Sequence, residues 1–479
     1  MHNVLSGCRP QSVFHYFAEI SRIPRGSGNE KAVSDYLVSF AEEHGLWVLQ
    51  DAANNILIKK PASCGCEDLP AVALQGHLDM VCEKNADSSH DFVRDPITLI
   101  EQDGWIRADG TTLGADNGIA VAMMLALLAD DTLCHPALEC VFTVCEETGL
   151  EGAFAFDGSL ISARYMINLD SEEEGVATVS CCGGVRTHIT KPIVYQKSDA
   201  NAVRLFVHGL AGGHSGVDIA KNRANAIKVM AELLSYLRTE TGFALADIAG
   251  GNKDNAIPRE CWAVIVTDRT ADEISALVRR FKASLPPMGE DDASFDIAVS
   301  DAAADMAMSC SDAVLKLLVN APNGVQTMFE HAPDMVESSC NLASITKDGD
   351  KLRVIVSIRS AAKHKRDAVV HRLSAVAEQA DFTLSIQGEY PGWDYERESH
   401  LRDVMSECYL ALYGKPLRFE AIHAGLECGI FKSKCPQLDI IAIGPNIIDC
   451  HTPDERLNVV SCNAVWELLL ATLAKLCKQ

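Results

Sequence analysis

Five short segments of this chain place histidines and carboxylates just after apolar runs. They are Gln75-Gly76-His77-Leu78-Asp79-Met80, Leu113-Gly114-Ala115-Asp116-Asn117-Gly118, Glu146-Glu147, Asn168-Leu169-Asp170 and Asp449-Cys450-His451-Thr452-Pro453. Imidazole and carboxylate donors together suit borderline cations such as zinc, and sites that activate water keep one coordination position open. The chemistry this donor set names is metal-assisted hydrolysis.

Each segment also has a plainer reading. His77 follows the apolar run Ala71–Leu74, and residues two apart on a strand share a face, so Asp79 stands beside His77. A carboxylate there would fix the tautomer of a metal-bound imidazole; a hydrogen-bonded core histidine is the alternative. Asp116 lies at a glycine-rich turn that opens a helix. Taken alone it reads as an N-cap, although two cations about 3.5–4 Å apart need a bridging carboxylate. Glu146 and Glu147 end the run Leu138–Cys145. Neighbours at the end of an extended strand diverge, so one acid can hold a metal while the other shuttles a proton; a solvated pair in a turn is the competing reading. Asp170 ends Tyr165–Leu169, and Ser171-Glu172-Glu173-Glu174 beyond it reads as solvated surface.

The elements that must position these groups follow from periodicity. Residues 10 to 45 read as amphipathic helix, with Val13, Phe14, Phe17 and Ile20 on one stripe and Ala32, Tyr36, Leu37 and Phe40 on another, broken at Arg22–Gly28. Strand-like runs follow at Asn55–Ile58, Val72–Leu74, Leu138–Val144 and Tyr165–Leu169, with a long helix after Asp116. Alternating strands and helices predict an α/β layer with a largely parallel sheet, whose functional groups gather at the carboxyl ends of strands. Near residue 190 the pattern changes to half-buried strands at Val203–Val207, Trp262–Thr267, Ser294–Val299 and Leu352–Ile358. These alternate with helices at Ala224–Leu237, Ala271–Leu285, Ala313–Val319 and Ala368–Gln379. The similar rhythm around Val203–Val207 and Leu352–Val356 is what an internal duplication would leave. His451 requires the chain to return to its first domain, so the expected division is 1–189 and 388–479 for one domain, with 190–387 inserted.

At 479 residues the chain is long enough for two domains. A net charge of -24 argues against nucleic acid or an anionic membrane as partner. The N-terminus lacks a signal pattern, and no apolar stretch reads as long enough to cross a bilayer, which points to a cytoplasmic protein. The eighteen cysteines are scattered through apolar contexts, as small buried hydrophobes in a reducing compartment would be. No C-x-x-C follows Cys64-Gly65-Cys66 at finger-like spacing, so that segment reads as a surface loop and not a structural zinc site.

In this order the segments resemble the co-catalytic M20 metallopeptidases, and among them the bacterial aminoacyl-histidine dipeptidases. Gly76-His77-Leu78-Asp79-Met80-Val81, Thr112–Gly118, Glu146-Glu147-Thr148-Gly149, Asn168-Leu169-Asp170 and His451-Thr452-Pro453 carry the likeness. Asp91–Pro96, Asp170–Gly175, Gly212-Gly213-His214-Ser215-Gly216, Asn255–Arg259 and His423-Ala424-Gly425-Leu426-Glu427 extend it nearly end to end. The resemblance implies an α/β catalytic domain with a mostly parallel central sheet and an inserted α+β lid domain. It implies two divalent cations, zinc first, with manganese or cobalt able to use the same groups. His77 and Asp170 would hold one, Glu147 and His451 the other, with Asp116 bridging and Asp79 clamping His77. Glu146 would be the general base and acid, and His214 the oxyanion donor, from its own or a partner subunit. Asn255 and Arg359 would bind the substrate's terminal carboxylate, which suits the bidentate fork of arginine. His423 would line the pocket without a defined role. The implied activity is hydrolysis of unblocked dipeptides, including Xaa-His such as β-Ala-His. A deacylase or aminopeptidase acting on other small amides is the alternative, and a homodimer is left open. A non-catalytic binding protein is disfavoured by the intact ligand series together with Glu146.

Overall fold

A computed structural model describes residues 4–330 and 332–478. Chain contacts divide it into two units. The first runs to Ser180 and adds Tyr395–Ala421 and the chain from Leu426; the second is Cys181–Asp394 with Ile422–Gly425. The boundaries differ from the expected 190 and 387 because the strands Gly183–Pro192 and Thr383–Tyr390, which straddle those positions, both belong to the second unit's sheet.

The first unit is built on an eight-stranded sheet. Its centre is parallel: Val72–His77 pairs with Leu138–Thr143 on one side and Tyr165–Asn168 on the other, and Tyr165–Asn168 pairs with Asp439–Ala442. Val72–His77, Leu138–Thr143 and Tyr165–Asn168 are buried at every residue, as expected of strands covered on both faces. The flanks are antiparallel, with Ile56–Lys60 and Trp47–Gln50 at one edge and Val176–Cys181 following Asp439–Ala442 toward the other.

Helix Ala115–Ala129 is apolar all round and buried along almost its whole length, packing against Val72–His77 and helix Gln11–Ile20. Helix Lys31–Glu43 turns Val33, Leu37 and Phe40 inward; Ala32 is exposed and Tyr36 only half-buried, so its stripe lies one position from the expected one. The C-terminal helix Val459–Leu476 corrects the expectation about membranes: by length and composition it could cross a bilayer. Here its inner side, including Val465, Leu469 and Leu473, forms part of the first unit's core.

A separate four-stranded sheet of Leu99–Gln102, Trp105–Ala108, Ile447–Ile448 and Arg456–Asn458 was not foreseen. Two of its strands bracket the loop that carries His451, and a third leads into the turn that carries Asp116.

The second unit is a nine-stranded antiparallel sheet. One half pairs Asp296–Ala302, Asn201–His208, Cys261–Thr267 and Ala244–Gly250 in order; the other pairs Ala332–Asp348, Lys351–Ser360, Gly183–Pro192 and Thr383–Tyr390, with Gly324–Phe329 as the ninth strand, also paired to Ala332–Asp348. The halves meet at the register pair Gly250–Ile345. Helices Ala226–Glu240, Ala271–Ser284, Ser311–Asn320 and Lys363–Gln379 share one core with this sheet. Thr270 and Glu273 form a capping box that starts the second of them.

Candidate metal centre

His77 is the last residue of its strand, and Asp170 and the Glu146-Glu147 pair lie shortly beyond the ends of the two strands beside it. Parallel register therefore delivers three of the five segments to one edge of the sheet. Asn117 ties two of them together: its Oδ1 accepts from the His77 backbone N–H at 3.2 Å and its Nδ2 donates to the Leu169 carbonyl at 3.0 Å.

Asp116 is not the helix cap. It sits in the first turn with non-helical backbone (φ -80°, ψ 105°), and its side chain takes no part in capping. Its Oδ1 lies 3.1 Å from His77 Nε2 and its Oδ2 lies 3.2 Å from His451 Nε2. One carboxylate thus faces two imidazoles with separate oxygens. The capping task falls to Glu455, whose Oε2 accepts from the Leu113 and Gly114 N–H groups and whose Oε1 accepts from those of Ala115 and Asp116, at 2.8–3.3 Å. Buried Arg25 donates to the carbonyls of Leu78, Asp79 and Gly114, joining the His77 loop to the Asp116 turn.

The strand before Glu146 ends at Thr143, so the two glutamates lie in a turn and not on extended backbone. Cys145 takes a left-handed conformation (φ 51°) to enter that turn. Asp79 then holds it, its two oxygens accepting from the Glu146 and Glu147 N–H groups at 3.0 and 3.2 Å. Although Asp79 lies past the end of the strand, its Oδ1 is 3.3 Å from His77 Nδ1. Burial alone would raise the Asp79 pKa; hydrogen bonds from His77, the Glu146 N–H and Ser27, with the His77 charge, hold it down to about 2.

Two donor groups result: His77, Asp116 and Asp170, and Asp116, Glu147 and His451, each with its donor atoms within 4.8 Å of one another. His77, Glu146 and Glu147 form a third such group. This much buried negative charge needs a cation. Burial pushes Glu146, Glu147 and Asp170 above the usual carboxylate range. Hydrogen bonds to Asp116 and Glu147 push His451 up to about 11. A cation gripped by the same atoms would take the place of that proton. Glu147 Oε1 is buried without a hydrogen-bond partner, as a carboxylate oxygen reserved for a metal would be.

Behind His77, a buried polar chain runs from the Asp170 N–H to Asn168 Oδ1, from Asn168 Nδ2 to Gln75 Oε1, and from Gln75 Nε2 to the Glu427 carboxylate, which also accepts from Thr143. Burial raises Glu427 to about 7. Arg25, Asn117, Glu427 and Glu455 were not singled out as site residues by sequence. Asn117 and Glu427 stand inside quoted motifs, which was a signal; Arg25 and Glu455 left none beyond an isolated charge near a turn.

The remaining candidates lie in the second unit. His214 Nδ1 accepts from the backbone N–H groups of Gly216 and Val217 at 3.3 and 3.1 Å, which assigns the ring proton to Nε2. Burial, then the charge of Arg359, lowers its pKa, so the ring is a neutral donor. Arg359 is nine-tenths buried; it donates to the Tyr390 hydroxyl at 2.9 Å, while its Nε has no partner. Asn255 is exposed, and its carbonyl accepts from the Ser215 N–H. His423 is buried with both ring nitrogens engaged, by Cys182 Sγ at 2.9 Å and Ser339 Oγ at 2.7 Å, so neither is open to a ligand.

Comparison with known proteins accounts for this arrangement. The model of peptidase family M20/M25/M40 matches residues 73–475. The chain is 37% identical to the cytosol non-specific dipeptidase of Escherichia coli (strain K12), over 98% of this chain and 99% of that one. It superposes on the crystal structure of an aminoacylhistidine dipeptidase from Vibrio alginolyticus with a TM-score of 0.91 and 34% identity, covering 99% and 98% of the two chains. An aminopeptidase from Bacillus cereus shares the fold at 16% identity, with a TM-score of 0.58 over 98% and 99%. With its strand-end donor groups and near end-to-end likeness to these enzymes, the chain belongs to peptidase family M20/M25/M40 and is a hydrolase.

Proposed function

We propose that this enzyme is a metal-dependent dipeptidase of unblocked dipeptides, Xaa-His substrates such as β-Ala-His among them. The observation that carries the metal assignment is Asp116, which offers one oxygen toward His77 and the other toward His451. His77 and Asp170 would hold one divalent cation, Glu147 and His451 the second, and Asp116 both. The donors suit zinc, and manganese or cobalt can use the same set. When bound, such a pair supplies an activated water and polarises the scissile carbonyl. The dipeptide class rests on the likeness to the E. coli and Vibrio enzymes.

The chain's own groups do the rest. Glu146, held by Asp79 through its backbone N–H, takes the proton of the attacking water and returns it to the departing amine. His214, with Nε2–H free to donate, stabilises the oxyanion. Arg359 and Asn255 receive the substrate's terminal carboxylate, while His423 positions the surrounding backbone through Cys182 and Ser339. The E. coli relative is named a cytosol enzyme, and a cytoplasmic location is the matching assignment here.

The test is hydrolysis of an Xaa-His panel, including β-Ala-His, by chelator-stripped protein with and without zinc, manganese and cobalt. Release of histidine only with metal supports the assignment. Silence on dipeptides with metal firmly bound moves it to a deacylase. Glu146→Gln should keep its metal and lose turnover; retained turnover removes Glu146 as the general base.

A further inference from the structure

At the opposite end of the central strands from His77, three thiols converge. Cys66 precedes the amino end of Val72–His77, Cys134 precedes the amino end of Leu138–Thr143, and Cys477 follows helix Val459–Leu476. All three sulfurs lie within 4.8 Å of one another, with Cys66 and Cys134 Sγ 3.9 Å apart. A tetrahedron with zinc–sulfur bonds of about 2.3 Å has edges of about 3.8 Å.

The surrounding backbone holds this geometry in place. The Ser63 N–H donates to the His135 carbonyl at 3.0 Å, and the His135 N–H donates to Ser63 Oγ at 3.0 Å, lacing the two loops together. The Cys66 N–H donates to the Ser63 carbonyl, fixing the first sulfur on that lacing. The Cys477 N–H donates to the Leu473 carbonyl, which continues a helix seated in the core. Cys66 is buried, Cys477 half-buried and Cys134 exposed, so the group has a fixed floor and an open mouth. Hydrogen bonds from Cys477 and Ser63 lower the Cys66 thiol below its usual range, while burial and the hydrogen bond to Cys66 raise that of Cys477.

We propose that Cys66, Cys134 and Cys477 form a binding site for a soft d10 cation, Zn2+ or Cd2+, with water as fourth ligand, distinct from the catalytic centre. Each thiol gives its proton to solvent and a sulfur lone pair to the cation. The bound ion would clamp two loops at one edge of the sheet to the end of the last helix. Sequence spacing could not show this, because the partners of Cys66 come from two distant segments and not from a neighbouring C-x-x-C.

The probe is Cd2+, titrated into the reduced, chelator-stripped full chain and followed by its ultraviolet sulfur-to-cadmium charge-transfer band. Because Cys450 stands with Asp116 and Glu172 in a donor group beside the candidate catalytic ligands, Cys450→Ser is titrated alongside and should keep the whole band, since Cd2+ held by nitrogen and oxygen gives none. The wild type should show one saturating step, and Cys66→Ser/Cys134→Ser/Cys477→Ser should lose it while keeping hydrolytic activity after zinc is restored. The single variant Cys134→Ser, at an exposed position, guards against a folding failure of the triple and should also lose the step. An equal band in wild type and the triple variant, or none in the wild type because Cys66 and Cys134 oxidise to a disulfide instead, overturns the proposal.

Discussion

Glu455 closes over the four backbone N–H groups that lead into Asp116, from a position 339 residues further along the chain. The carboxylate that faces both histidines is therefore aimed by a second carboxylate that touches neither. Glu455→Ala would leave four amides without their acceptor and remove the strongest of the acidic charges that favour the buried Arg25 guanidinium, Asp79 and Asp116 remaining. The expected loss is roughly 3–5 kcal/mol of stability, read from denaturant unfolding of the first unit. Glu455→Gln keeps the volume and one acceptor oxygen. It should fold and weaken metal binding by about 10–100-fold in chelator competition. Unchanged affinity would show that the Asp116 turn holds without its cap.

Asp79 should behave as a positioning residue. Asp79→Asn sets an amide N–H2 against the Glu146 or Glu147 backbone N–H, which loosens the turn on the substrate side and His77 on the metal side. Metal affinity is expected to fall by about 10–100-fold, and turnover to remain low even at saturating metal. A variant restored fully by excess metal would confine Asp79 to holding His77.

His214 offers its Nε2–H, and its loss should register in turnover more than in binding. His214→Ala is expected to lower kcat by roughly 10²–10³-fold with metal content unchanged. An effect confined to KM would move His214 to substrate binding.

His423 makes stability depend on pH in a calculable direction. Burial, then the charge of Arg359, lowers its pKa to about 4, below the usual value near 6.5 for an unfolded chain. The folded state thus refuses a proton that the unfolded state accepts. The stabilisation is complete above about 6.5 and fades as pH falls toward 4, by up to roughly 3 kcal/mol. Comparing pH-dependent unfolding of the wild type with His423→Gln isolates this contribution; identical slopes would show that His423 titrates normally.

The parts of the fold legible in the sequence were those set by local pattern. Val72–His77, Leu138–Thr143 and Tyr165–Asn168 are short apolar runs, and each ends within a few residues of the boundary its composition suggested. Because the strands are parallel and in register, naming the residues just beyond their ends also named much of the donor set. What stayed hidden depended on long-range contact or on single backbone angles. The left-handed Cys145 turns Glu146 and Glu147 out of the strand, and no property of cysteine announces that. Asp116 looks like a cap because aspartate usually is one; only the arrival of Glu455 frees its oxygens. The apolar side of Val459–Leu476 reads as a core stripe once its neighbours are in place.

The loop that brings both His451 and Glu455 also sets the order in which a growing chain becomes competent. His77, Asp116, Glu147 and Asp170 leave the ribosome early, and the whole second unit is synthesised before His451 and Glu455, which complete the candidate donor groups and the cap on Asp116. Domains fold largely as they emerge, N-terminal parts first. A nascent chain can therefore form the second unit's sheet while the candidate metal centre still lacks the His451 imidazole and the clamp on Asp116. Peptide-cleaving power would arrive only with the last stretch of translation, and a message truncated before that loop would lose His451, Glu455 and the core helix Val459–Leu476 together and yield a silent product.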